Sequence, residues 1–386
     1  MRMATHLLAL VVCAAIAAGF GPCNAKHSVE IANLNILHGF ACDPPTPDDG
    51  DQCRVADRID LLLDHIVDSG CPDVVTLQEN VVNEFVQTSA TETKGPLEST
   101  VALIEAGLPS LAQACGFEYH VVFDPEGATA GGAPRGIDEE LILTRYPALD
   151  AGVTLLYSAL DPFFSRHVLY ARIDHPIGPV DVYTTHLASS SDAGSAPCGA
   201  TIIFPVACPA ECEAFVDTVR ECQAKQLAML VEATHDVATP AFITGDFNAE
   251  PDSNEYAEFT SRGWADSHLA AGNGECDPAT GENCTSGRDE VGGDLEDPAL
   301  NLDARIDYIF VVPPDEESRC SGRLVRHTNP HFPFASTGLF AAEPNPFAPS
   351  CGPEPDAICW ASDHSGNLAN LTCRGPRHHR HGGHHP

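Results

Sequence analysis

The chain has 386 residues, 43% of them apolar and 19% charged, with 20 basic and 55 acidic side chains and a formal charge of −35. The apolar share is enough for a full core and excludes a disordered chain. So negative a surface repels polyanions at long range and disfavours tight, sequence-independent binding to DNA, while leaving a nuclease open because bound divalent cations invert the local field.

Residues 1–25 read as a signal peptide: Arg2, an apolar stretch over 7–18, and Cys23-Asn24-Ala25 as a cleavage context. A secreted protein, extracellular or periplasmic, is expected. Pro22 stands where a lipoprotein signal wants a small residue. No later run of 18 apolar residues occurs, so no transmembrane helix is predicted. Cys13 and Cys23 leave with the leader, and the other 14 cysteines of the 16 are an even set that predicts disulfides. The zinc-ribbon alternative lacks any C-x2-C pair. Residues 26–373 are read as one catalytic domain and a monomer, and 374–386 as a disordered His-rich tail.

The mature chain opens on a strand at 29–37 whose alternation slips between Ile31 and Leu34. A helical stripe over 55–69 ends at Gly70 and Pro72, and a short buried strand runs over 73–77. A helix follows over 98–114. Strands are predicted over 119–123, 141–144, 167–173 and 180–184. A long helix covers 212–234, and strands follow over 241–244 and 305–312, with the last inside 360–371. The order fits a layered α/β fold with two packed sheets better than a doubly wound parallel sheet. Residues 188–211 and 315–359, rich in Pro, Gly, Ser and Cys, read as disulfide-stapled insertions, and 273–294 as a solvated loop. Asn283-Cys284-Thr285 and Asn370-Leu371-Thr372 fit the glycosylation pattern.

Six polar clusters stand at the ends of apolar strands: Asn33-Leu34-Asn35 with His38, Gln78-Glu79, Thr185-His186, Gly245-Asp246-Phe247-Asn248, Arg305-Ile306-Asp307 and Ser362-Asp363-His364. Strand ends around a sheet converge on one crevice. Carboxylates with amides suit a hard cation, Mg2+ or Mn2+ with Ca2+ as a further option, and histidines paired with carboxylates suit acid–base work. No Gly-x-Ser-x-Gly nucleophile is present. The set points to metal-assisted attack of water on a phosphoester.

Gly245-Asp246-Phe247-Asn248, Arg305-Ile306-Asp307-Tyr308 and Ser362-Asp363-His364, following Leu77-Gln78-Glu79 and Thr185-His186-Leu187, resemble the endonuclease/exonuclease/phosphatase superfamily, the deoxyribonuclease I-like fold. The resemblance implies a four-layer α/β/β/α sandwich, two mixed sheets flanked by helices. It assigns Glu79, Asp363 and Asn35 to the metal. Asp246 would activate water, Asn248 would hold a phosphate oxygen, His186 would bind or protonate the phosphoryl group, and His364 would pair with Asp307. A bland alternative makes Asp307 a structural partner of Arg305. Glu140 is the candidate partner of His186, chosen among Asp138, Glu139 and Glu140, and Arg166 the candidate phosphate contact. Leu37 stands where many nuclease members have an aspartate. The expected substrate is a phosphodiester, either nucleic acid or a phospholipid head group as in sphingomyelinase and phospholipase C-like enzymes, with a small-molecule phosphatase as the further alternative. For a lipid, Phe332-Pro333-Phe334 and Leu339-Phe340 would supply an apolar hairpin.

Overall fold

A computed structural model describes residues 27–39, 42, 50–82, 86–87, 93–95, 97–123, 139–159, 165–200, 206–213, 216–288, 295, 297–312, 334–342, 344–347, 351 and 357–373. The leader, the His-rich tail, Phe332 and Asp138 lie outside them. Strand β1 (His27–Asn35) leads to helix α1 (Val55–Asp68) and β2 (Val74–Asn80). A small pair, β3 (Val86–Gln87) and β4 (Thr93–Lys94), precedes α2 (Thr100–Cys115). Four strands follow after β5 (His120–Val122): β6 (Glu139–Thr144), β7 (Ala148–Leu155), β8 (His167–Ile173) and β9 (Val180–His186). Then come α3 (Ala210–Glu213), α4 (Val219–Thr234), β10 (Ala241–Asp246), α5 (Asn254–Thr260), β11 (Ala265–Asp266) and α6 (Ser267–Ala270). The described chain closes on β12 (Asp307–Val312), β13 (Phe334–Phe340) and β14 (Gly366–Cys373).

Two six-stranded sheets form, in orders β13-β14-β1-β2-β6-β5 and β11-β12-β10-β9-β8-β7. Three cores separate four layers. Leu34, Leu77 and Leu141 of the first sheet pack on Ile59, Leu62 and Ile66 of α1 and Ile104 of α2. Val29, Ile31, Leu169, Val182, Phe242 and Ile309 fill the seam between the sheets. Tyr183, Ile243 and Phe310 pack on Ala224 and Leu227 of α4 and Phe259 of α5. The expected four-layer sandwich with two packed mixed sheets is the fold. The slip in β1 now has a cause: Ile31 faces the seam and Leu34 the helices, and a strand buried on both faces needs no alternation.

The expected helix over 212–234 is two helices, because Thr218 caps α4 with a full capping box through Glu221. Helix α2 starts one turn's edge later than expected, where the Ser99 side chain accepts the Ala102 N–H, and it stops at Gly116 in the left-handed region. Six disulfides join described residues: Cys42–Cys53, Cys71–Cys115, Cys198–Cys208, Cys212–Cys222, Cys276–Cys284 and Cys351–Cys359. Five close short loops, whereas Cys71–Cys115 spans 44 residues and ties the end of α2 to the turn before β2. Replacing both of those cysteines by serine removes about 4 kcal/mol on the chain-entropy estimate. Guanidinium unfolding should show that loss as a lower midpoint. A stability equal to wild type would show that the denatured chain is not constrained by this bridge.

Candidate active site

The site follows from strand parity. On β9, Val180, Val182, Thr184 and His186 share one face, on β10 Phe242, Thr244 and Asp246, and on β12 Asp307, Ile309 and Val311. Their apolar members Val180, Val182, Phe242, Ile309 and Val311 lie in the seam core, so the polar residue at each strand end opens into the same seam. Register brings Asp246 opposite both His186 and Asp307. From the other sheet β1 delivers Asn35 on the face of Ile31.

Glu79 needs a further device. Parity on β2 would place it with Val75 and Leu77, toward the helices. The pairing of β2 with β6 is irregular between Leu77 and Asn80, and Glu79 adopts φ +63°. The break in the pleat re-aims the side chain toward β1, at the cost of a conformation that non-glycine residues rarely adopt. Gly245 permits the close pairing of β10 with β9: a Cβ there would stand 1.9 Å from the Thr185 carbonyl oxygen, and its φ is +147°.

Asn35 bridges the sheets. Its Nδ2 donates to Glu79 Oε1 at 2.8 Å and to Asp246 Oδ2 at 3.0 Å, while its Oδ1 accepts the Leu37 N–H. Glu79 also accepts the His38 backbone N–H at 3.0 Å. Burial pushes the Glu79 carboxyl up, but His38, His186 and these hydrogen bonds outweigh it and hold the group well below the usual carboxylate range. Asp246 Oδ1 accepts the Asn248 N–H at 2.8 Å, and its Oδ2 lies 3.4 Å from His186 Nε2 and 3.8 Å from His364 Nε2. Burial, with Asp307 beside it, pushes Asp246 up against the pull of the two imidazoles. The Asn248 amide meets His186 Nε2 at 2.9 Å and the Leu187 carbonyl at 2.9 Å. Burial and then Arg166 lower the His186 pKa.

His364 Nδ1 stands 2.9 Å from Asp307 Oδ2. Burial opposes the imidazolium, but Asp307, Asp363 and Asp246 raise its pKa well above the ordinary value. Asp307 does not partner Arg305, which pairs instead with Asp266 and Glu275. The bland alternative for Asp307 is therefore corrected: Arg305 points to the helix-covered side of β12, over Tyr308. Asp363 is half-buried and accepts the Ser362 hydroxyl, which also holds the Asn35 carbonyl.

Glu140, the expected partner of His186, meets its backbone and not its ring. Glu140 Oε1 accepts the His186 backbone N–H at 2.8 Å, and its other oxygen pairs with His167. Arg166 is 4% exposed and pairs with Asp192 of the insertion after β9. Thr285 and Arg288, in the loop expected to be merely solvated, were missed. Both are buried, with Thr285 against Asp307 and Arg288 against His364. Arg58 is also buried and donates to the carbonyls of Ile36, Leu37, Ala361 and Gln52, which ties the segment after Asn35 to the one before His364. An arginine on the apolar stripe of α1, between Val55 and Ile59, was the signal for it.

The donor set suits a hard cation. Glu79 and Asp363 offer carboxylate oxygens, Asn35 turns its Nδ2 to Glu79 and its Oδ1 to the Leu37 N–H, and Asp246, Asp307 and His364 place one ligand atom each within 4.8 Å of one another. Asp307 Oδ1 is a buried acceptor with no hydrogen bond among the described residues.

The model of the Endonuclease/Exonuclease/phosphatase family matches residues 32–364. No curated protein matches the chain in sequence. Solved structures share the fold. An endonuclease/exonuclease/phosphatase from Bacteroides vulgatus is 19% identical over 90% of this chain and 100% of its own, with a TM-score of 0.54. A humanized D. rerio TDP2 is 14% identical over 89% and 98%, with a TM-score of 0.51. A mannosyl-6-phosphatase of Bacteroides thetaiotaomicron is 16% identical over 88% and 98%, with a TM-score of 0.50.

Proposed function

The chain belongs to the Endonuclease/Exonuclease/phosphatase family, and from that premise we infer that it is a secreted, divalent-metal-dependent phosphodiester hydrolase of nuclease-like type. The observation that carries this reading is Asp246 Oδ2 set between two imidazoles, 3.4 Å from His186 and 3.8 Å from His364. A carboxylate so placed takes a proton from water while the flanking rings face the phosphoryl oxygens. Glu79 and Asp363 would hold a divalent cation, which supplies positive charge to the phosphoryl group when bound, and Asn35 would position Glu79 through its Nδ2. His186, whose pKa burial and then Arg166 lower, can bind or relay a proton. His364, kept charged by Asp307, stabilises the charge that gathers on the phosphoryl oxygens. Asn248 orients His186 and marks the phosphate position. No covalent intermediate is required.

The lipid alternative loses one support. Phe340 is buried in the first core against His65, so it does not reach a bilayer. Phosphomonoester hydrolysis is separated by assay. Bis-(p-nitrophenyl) phosphate should turn over with Mg2+ and stop with chelator, while p-nitrophenyl phosphate turns over far more slowly. Monoester turnover alone would move the reading to a phosphatase, and diester turnover that survives complete chelation would remove the cation from it.

A further inference from the structure

The loop that follows α6 and precedes β12 sends two side chains beneath the Asp307–His364 contact. Thr285 is fully buried, and its Oγ1 accepts the backbone N–H of Ile306 at 3.0 Å and of Asp307 at 3.1 Å. Arg288 is 3% exposed. Its Nη1 donates to the carbonyls of Ser362 at 3.1 Å and His364 at 2.6 Å, and its guanidinium lies 3.8 Å over the Trp360 ring. Main chain completes the grip: Ser365 N donates to the Thr285 carbonyl at 2.8 Å, and Ser365 Oγ to the Cys284 carbonyl at 3.1 Å. The Cys276–Cys284 bridge closes the same loop eight residues apart. One loop thus holds the backbone on both sides of a single side-chain contact.

We propose that Thr285 and Arg288 are positioning residues of the reaction, setting the Asp307–His364 geometry through the main chain. The inference rests on the reading above, in which that pair serves phosphodiester hydrolysis. Thr285 has a hydroxyl that takes two buried N–H donors, and an isosteric valine leaves both unpaired, so the start of β12 shifts. Arg288 spans two carbonyls and stacks on an aromatic ring, which a lysine ammonium cannot reproduce.

The test compares Thr285→Val, Thr285→Ser and Arg288→Lys with Arg172→Met. The last removes the Arg172–Asp181 ion pair at the opposite end of β9 and serves as the stability control. For bis-(p-nitrophenyl) phosphate with Mg2+, kcat should fall roughly 10- to 100-fold in T285V and R288K with KM within about twofold. T285S should recover most of the loss, and R172M should keep its kcat despite a lower Tm. The downfield proton resonance of His364 Nδ1, assigned with His364→Asn, should persist in wild type and T285S and shift or broaden in T285V and R288K. That resonance reads the brace even if no diester is hydrolysed, so a silent wild type would sink the functional reading alone. An unchanged resonance with unchanged kcat in both variants, or a kcat loss no greater than that of R172M, overturns the proposal. If T285V does not fold, R288K decides by the same two readouts.

Discussion

Asp246→Asn lowers kcat for the diester by roughly 10²- to 10⁴-fold, the range for loss of a positioned general base. The carboxylate is 2% exposed, Asn35 and the Asn248 N–H donate to it, and two imidazoles flank it. An amide keeps the shape but cannot take a proton, and its own N–H2 would face the Asn35 donor. The same substitution should cost little net stability, because relief of a buried charge offsets the donor turned onto a donor. Burial and Asp307 raise the Asp246 pKa, so the ionised form is held in the fold at a penalty that the neutral amide relieves. Steady-state turnover and a thermal melt on the same preparation check both halves. Retention of more than a tenth of wild-type kcat would show that another group takes the proton. A melt several degrees below wild type would show that Asp246 is a structural hub instead.

Asp307→Asn is expected to cost roughly 10²- to 10⁴-fold in kcat and to reshape the pH profile. Asp307 is buried, accepts from His364 Nδ1 and is the largest of the effects that raise the imidazole pKa against burial. Without its charge the pKa of the ring falls, the protonated form is lost at lower pH, and the alkaline limb of the kcat profile moves to lower pH. The linkage has a definite sign. A histidine raised in the fold adds stability that is fully present below its unfolded pKa near 6.5 and is lost as pH rises through the folded value. Melts across that window should therefore show a steeper decline for wild type than for D307N. Superimposable kcat profiles of the two proteins would detach Asp307 from the titration.

The legibility of this chain divides along physical lines. The sequence predicts β8 at its observed ends, and β1, β2 and β10 within a few residues, because burial leaves an apolar run that turn residues interrupt. Strand β7 was unseen: its residues are half-exposed or exposed, and it is held by backbone pairing with β8, which no side-chain pattern records. The site residues were legible since each ends an apolar strand, and parity then carries His186, Asp246 and Asp307 to one seam. The aim of Glu79 was not, because it depends on a break in the β2 pleat. Thr285 and Arg288 sit in a loop rich in Gly and Asp, and nothing in such a composition distinguishes a buried brace from a solvated turn. The same loop contains Asn283-Cys284-Thr285, whose threonine is buried and engaged by β12, and the second sequon has Asn370 donating to Glu30 inside the sheet.

The pairing of β1 with β14 has a consequence for biosynthesis. Glu30 and Asn370 meet across that ladder, 340 residues apart in sequence. Among the described strands β1 leaves the ribosome first and waits for β14, and synthesis proceeds at about 5–20 residues per second. Asn35 and Glu79 emerge well before His364, so no nascent fragment that ends ahead of β14 holds the assembled site. The site would thus stay incomplete while the chain is being made, and ribosomes stalled before β14 would release only chains without it.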